Sequence, residues 1–135
     1  MGKLVSAGKR TSLLAGQAEI APAPNQPITF CFAHLDLNQG HTLDEWHKRN
    51  LLAKMIDRFR GFDVQPLHKC LNDKFKRYRN FPPKSAFKHP PRVPPDAEWA
   101  SMHLGNLPCV IGHVIHNVFY VVFLDGDHKF WPVEK

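Results

Sequence analysis

The chain has 135 residues, 43% of them hydrophobic, with ten Phe and three Trp, enough for the core of one domain. A net charge of +6, with nine His besides, points to an anionic partner, and no apolar run approaches the ~20 residues of a membrane span. Cys31, Cys70 and Cys109 are far apart and odd in number, a pattern that fits reduced thiols in a cytoplasm better than a disulfide framework.

Residues 1–27 are small and polar, interrupted by Pro22, Pro24 and Pro27, and read as a flexible N-terminal tail. The apolar stretch around Leu13 and Leu14 is too short for a secretory leader. A single α+β domain is expected over 28–135. It opens with a strand from Ile28 to Leu35, in which Ile28, Phe30 and Phe32 alternate on one face. Thr42 and Glu45 form a capping box, and Leu52, Met55, Ile56 and Phe59 follow at helical spacing. The spacing predicts a helix from Leu43 to Phe59, with Gly61 as its stop, and a second, shorter helix over 64–71.

From Lys69 to Arg92, eight basic residues stand against the single acid Asp73, so the remainder of the chain is close to neutral. Proline pairs at 82–83, 90–91 and 94–95 exclude helix and central strand. The segment reads as a short edge strand over 74–79 and a stiff loop over 80–95, together a basic, proline-rich insertion at 74–95. Phe75, Tyr78, Phe81 and Phe87 lie among the cations, a pattern suited to base stacking above a phosphate-binding strip. Lys74, Lys76, Arg77, Arg79, Lys84, Lys88 and Arg92 are the candidate RNA contacts; the plain alternative is a solvated charged loop.

The rest reads as an antiparallel meander: Trp99 to Leu104, a turn at Gly105 and Asn106, Cys109 to Ile115, Val118 to Leu124, and a last short strand from His128 to Trp131. His116-Asn117 and Asp125-Gly126 are its tight turns. Val118 to Leu124 is apolar at nearly every position, so it is buried on both faces and central. The expected architecture is β-α-α-β-β-β, two helices on one face of a twisted antiparallel sheet, with Leu52, Met55, Ile56 and Phe59 facing the Val118–Leu124 strand.

That order in a small basic chain resembles the RelE/ParE superfamily of toxin-antitoxin ribonucleases. The resemblance covers about residues 28–131. It rests on the leading strand, the helix from Leu43, the Val110-Ile-Gly-His-Val114 strand, the apolar Val118–Leu124 strand and the terminal His128-Lys129-Phe130-Trp131. It departs from the family in the long insertion and in ending on Trp131 rather than a Tyr. The resemblance implies an mRNA interferase in the cytoplasm, RNA or ribosome-bound mRNA as partner, an antitoxin protein that neutralises it, and a His or Tyr on the last strand as catalyst. His128 is the matching position.

Cleavage of RNA by its own 2′-hydroxyl needs a base, cations for the phosphorane and an acid for the leaving 5′-oxygen, and requires no metal. His128 is therefore expected as general acid or base, Lys129 as a charge stabiliser and Tyr120 as a positioning group, with His113 in a lesser role. No cofactor and no metal is expected, because the His and Cys residues show no compact ligand spacing. A two-residue turn at His116-Asn117 pairs His113 with Tyr120 on one face. A two-residue turn at Asp125-Gly126 would bring Lys129 to that face; a three-residue turn, the preferred reading, would bring His128 instead. Two other classes remain: a nucleic-acid-binding module without chemistry, in which these side chains would be separately packed, and a small interaction protein of a mobile element.

Overall fold

The computed structural model describes residues 26–62, 75–78 and 80–132. Most of the N-terminal tail, the 64–71 helix, Lys74 and Arg79 lie outside them. Among the described residues two helices and a five-stranded mixed sheet make an α+β fold, in the order β1 (Thr29–Cys31), α1 (Leu43–Lys48), α2 (Leu52–Phe62), β2 (Phe75–Arg77), β3 (Trp99–His103), β4 (Cys109–Ile115) and β5 (Val118–Asp125). The spatial order is β1-β5-β4-β3-β2. Among the described residues no helix is long and apolar enough to cross a membrane.

The sheet differs from the expected antiparallel one at its β1 edge. Thr29, Phe30 and Cys31 run parallel to Val118, Phe119 and Tyr120, and every other pairing is antiparallel. Because β1 takes one edge of β5 and β4 the other, no edge of β5 remains for a strand over 128–131 to pair with as the next strand of the meander. That segment turns over the sheet instead: the buried Asp125 carboxylate accepts the amides of Lys129 (2.9 Å) and Phe130 (2.8 Å), and Phe130 is driven fully into the core. His128 takes a left-handed φ of 60° in the process.

The predicted first helix is two. Thr42 caps α1 with both halves of the capping box formed, but α1 ends at Lys48 and Asn50 adopts a φ of 61° before α2 begins. Met55 and Phe59 are buried and Leu52 packs partly against the core, whereas Ile56 is exposed. Gly61 lies inside α2, which runs on to Phe62, so it is not the stop. The first strand also ends early, at Cys31, because Phe32 to Leu35 form a turn closed by the Leu35 amide on the Phe32 carbonyl.

Both sheet faces are covered. Trp46, Met55 and Phe59 pack on Ala100, Met102, Val110, Val114, Phe119 and Leu124. The opposite face carries Trp99, Cys109, Ile111 and Phe123, and its lid is the proline-rich loop with Val93, Ala97, Phe81 and Phe87, together with Phe130. Burying this second face accounts for Phe81 and Phe87, which pack on Trp99 and Phe123, and for Tyr78, which stacks on Trp131, whereas Phe75 is fully buried in the helix-covered core against Phe62 and Phe119. Phe75 is therefore closed to any ligand, while Tyr78, Phe81 and Phe87 keep part of their surface exposed.

Candidate functional site

The two-residue turn at His116-Asn117 forms, with His116 at a φ of 55°, and pairs His113 with Tyr120 as the sequence predicts. One irregularity then sets the face. Between Ile111 and Gly112 the register shifts so that Phe123 opposes Ile111 and Val121 opposes Gly112, leaving Val122 as the extra residue of a bulge. Tyr120 and Phe123, three apart in sequence, therefore share the lidded face with His113.

His34 completes this end of the face. The turn after β1 swings it across the edge, where its Nδ1 lies 3.0 Å from His113 Nε2. The His34, His113 and Tyr120 rings lie within 19° of parallel, with centroids 4.8 to 5.2 Å apart. Arg92 of the loop reaches the Ala33 carbonyl at 3.5 Å, which sets its guanidinium beside His34. Simple alternation from Ile28 would have placed His34 on the helix-covered face, so the strand pattern hid it. A His at the end of a leading strand, with a turn following, was the available signal.

Electrostatics separates the roles. Burial, then the neighbouring His34 and His89, push His113 down to about 4, so it is neutral at physiological pH. It is fully buried, its Nδ1 has no hydrogen-bond partner among the described residues, and its Nε2 holds His34 from within the core. Burial and the Arg92 charge lower His34 as well, and burial raises Tyr120. His34 and Tyr120 are half-buried and reachable. With the shared hydrogen on His34 Nδ1, its Nε2 is a bare lone pair on the far side of the ring, able to accept a proton.

The same titration gives a stability prediction. The unfolded chain protonates His113 near 6.5 and the folded chain only near 4, so protonation favours unfolding. His113's contribution is complete above 6.5 and drains away as pH falls toward 4, by on the order of 3 kcal/mol. Urea unfolding at about pH 7 and about pH 4 should show this loss in the wild type and much less of it in His113→Gln. Equal losses in the two would contradict the assignment.

The other expected catalytic residues lie elsewhere. His128 sits at the opposite end of the lidded face, with its Nε2 3.2 Å from His103 Nε2. His103 pairs with Cys109 in the sheet, and Cys109 is four residues from His113 along β4, a separation of ~13 Å. The favoured three-residue turn is thus overturned, because His128 never enters a strand. Lys129 lines a third place, a cleft of about 400 Å³ with Gln39, His41, Phe87 and Asp127. There Arg49 bridges His41 Nε2 (2.7 Å) and the Asp127 carboxylate (3.3 Å). His128, Lys129 and the His113–Tyr120 pair do not converge.

Of the candidate RNA contacts, Lys76 and Arg77 are exposed on β2, where Arg77 pairs with Glu98. Lys84, Lys88 and Arg92 are exposed along the loop, which crosses the face from the β2 edge toward β1: Lys88 exchanges hydrogen bonds with Gln39, and Arg92 ends beside His34. Comparison with family models, curated proteins and solved structures finds no match to this chain.

Proposed function

We propose that the protein acts on RNA as a metal-independent, toxin-like endoribonuclease, resembling the RelE kind and restrained by an antitoxin, with its chemistry at His34 rather than His128. The observation that supports this reading most is the His34–His113 couple between Tyr120 and Arg92, at the end of a basic loop. His34 Nε2 takes the proton of the 2′-hydroxyl, and the resulting imidazolium donates its Nδ1–H to neutral His113. The 2′-oxygen then bonds to phosphorus as the bond to the 5′-oxygen breaks, and His34 returns the proton to that leaving oxygen. Arg92 offsets charge on the phosphate, and Tyr120, held protonated, donates its hydroxyl to the substrate.

The second reading, a nucleic-acid-binding module without chemistry, is favoured by the scattering of His128 and Lys129 away from His113. Both readings share the basic loop. RNA affinity should fall steeply as salt rises from about 50 to about 200 mM. Reversing Lys84, Lys88 and Arg92 together to Glu should flatten the slope of log affinity against log salt by about one per lost phosphate contact. Filter binding on labelled RNA measures this, and salt-insensitive binding would count against an RNA partner. Induced expression in a bacterial host separates the two readings, since only the enzyme arrests growth with loss of intact mRNA, relieved by His34→Gln.

A further inference from the structure

We propose that His103, Cys109 and His128 form a binding site for a divalent, borderline-soft cation, zinc foremost, which pins the chain after β5 to the end of the β3–β4 hairpin. This goes beyond the RNA-directed reading and is independent of it. The three side chains come from separate places in the sequence, and their ligand atoms lie within 4.8 Å of one another. Two histidines and a thiolate are a common donor set for zinc.

The geometry of the two rings is that of a pair facing one ion. Their Nε2 atoms are 3.2 Å apart, and two nitrogens on a tetrahedral zinc lie ~3.3 Å apart. His128 Nδ1 donates to the Trp131 carbonyl at 2.8 Å, which fixes the tautomer and leaves Nε2 as a lone pair. Such a carbonyl behind a ring is the usual outer support of a zinc-bound histidine. His128 reaches this place only because its backbone adopts the left-handed φ of 60°.

Cys109 is buried beneath the rings and its thiol points to the Leu107 carbonyl at 3.4 Å. Ideal sulfur-to-nitrogen spacing on zinc is ~3.6 Å, so the thiol needs a small inward shift. On binding, the Cys109 S–H loses its proton to solvent and the sulfur bonds the ion. His103 and His128 are half-buried, so an ion can reach the rings from solvent. Sequence spacing could not reveal the set. His103 and Cys109 close a short hairpin, but His128 joins them only once Asp125 has folded the following residues back.

The full chain with Cys31 and Cys70 replaced by Ser, stripped with a chelator, is titrated with Co²⁺ and then Zn²⁺. A single equivalent of Co²⁺ should produce strong visible bands of a four-coordinate ion and a thiolate-to-cobalt transition in the near ultraviolet, both abolished by Zn²⁺. Cys109→Ser should remove the thiolate transition. His103→Gln and His128→Gln should each weaken binding by on the order of 100-fold, while the exposed His47→Gln binds as the parent does. Zinc should also raise the melting midpoint of the parent and not of Cys109→Ser. The parent titration needs no ligand variant to fold: no stoichiometric cobalt binding, or binding without a thiolate transition, overturns the proposal. A thiolate transition that survives in a folded Cys109→Ser chain overturns it equally.

Discussion

Replacing His34 with Gln is expected to lower RNA cleavage by on the order of 10²-fold or more while leaving the fold and RNA affinity in place. Glutamine keeps a polar side chain that can still face His113, but it has no pKa near neutrality and can neither take nor return the 2′-hydroxyl proton. His128→Gln is expected to leave cleavage intact at equal folded fraction, since its Nε2 faces His103 at the far end of the lidded face. Single-turnover cleavage of a labelled RNA by the two variants measures the contrast. If His128→Gln loses activity and His34→Gln retains it, the chemistry is at the other end of the sheet and the present assignment is wrong.

A second large effect concerns stability. A Cβ at Gly112 would lie 2.1 Å from the Tyr120 carbonyl oxygen and 2.9 Å from the Phe119 ring. The first of these is backbone in the central hairpin and cannot swing aside, so the β4–β5 bulge opens or the strands separate. Gly112→Ala should therefore cost about 3 kcal/mol or more. Gly61→Ala makes the opposite case: nothing lies within 4 Å of a Cβ there, and the residue is in the last turn of α2. It should stabilise the chain by about 0.5 to 1 kcal/mol. Denaturant midpoints of the two variants give both signs. A harmless Gly112→Ala would mean that the close approach of β5 to Gly112 at the bulge is not as described.

What could be read from the residues follows a physical pattern. The capping box at Thr42, the β4–β5 hairpin and the His113–Tyr120 pairing are local, each fixed by residues a few positions apart, and all are present. The α+β character and the burial of β5 also followed from apolar patterning. The parallel pairing of β1 with β5 is non-local and leaves no period in either strand, yet it takes the edge of β5 beside which 128–131 was expected. The bulge at Val122 flips side-chain parity without any turn residue to announce it. The first moves His128 away from the His113–Tyr120 pair, and the second brings Phe123 rather than Val122 opposite Ile111 on the lidded face. The packing of the basic loop's aromatics has a related cause. A second sheet face, rich in Trp99 and Phe123, needed covering, and the loop is its cover.

The central claim is that this chain cuts RNA without a metal through His34, and product analysis tests it most directly. Wild-type protein is incubated with RNA in excess chelator, both free and in a translating extract, and the new ends are identified. Attack by the 2′-hydroxyl predicts 2′,3′-cyclic phosphate and 5′-hydroxyl ends, formed at an undiminished rate under chelation and lost with His34→Gln. RNA that stays intact in both settings, or ends that form only when a metal is restored, would contradict it.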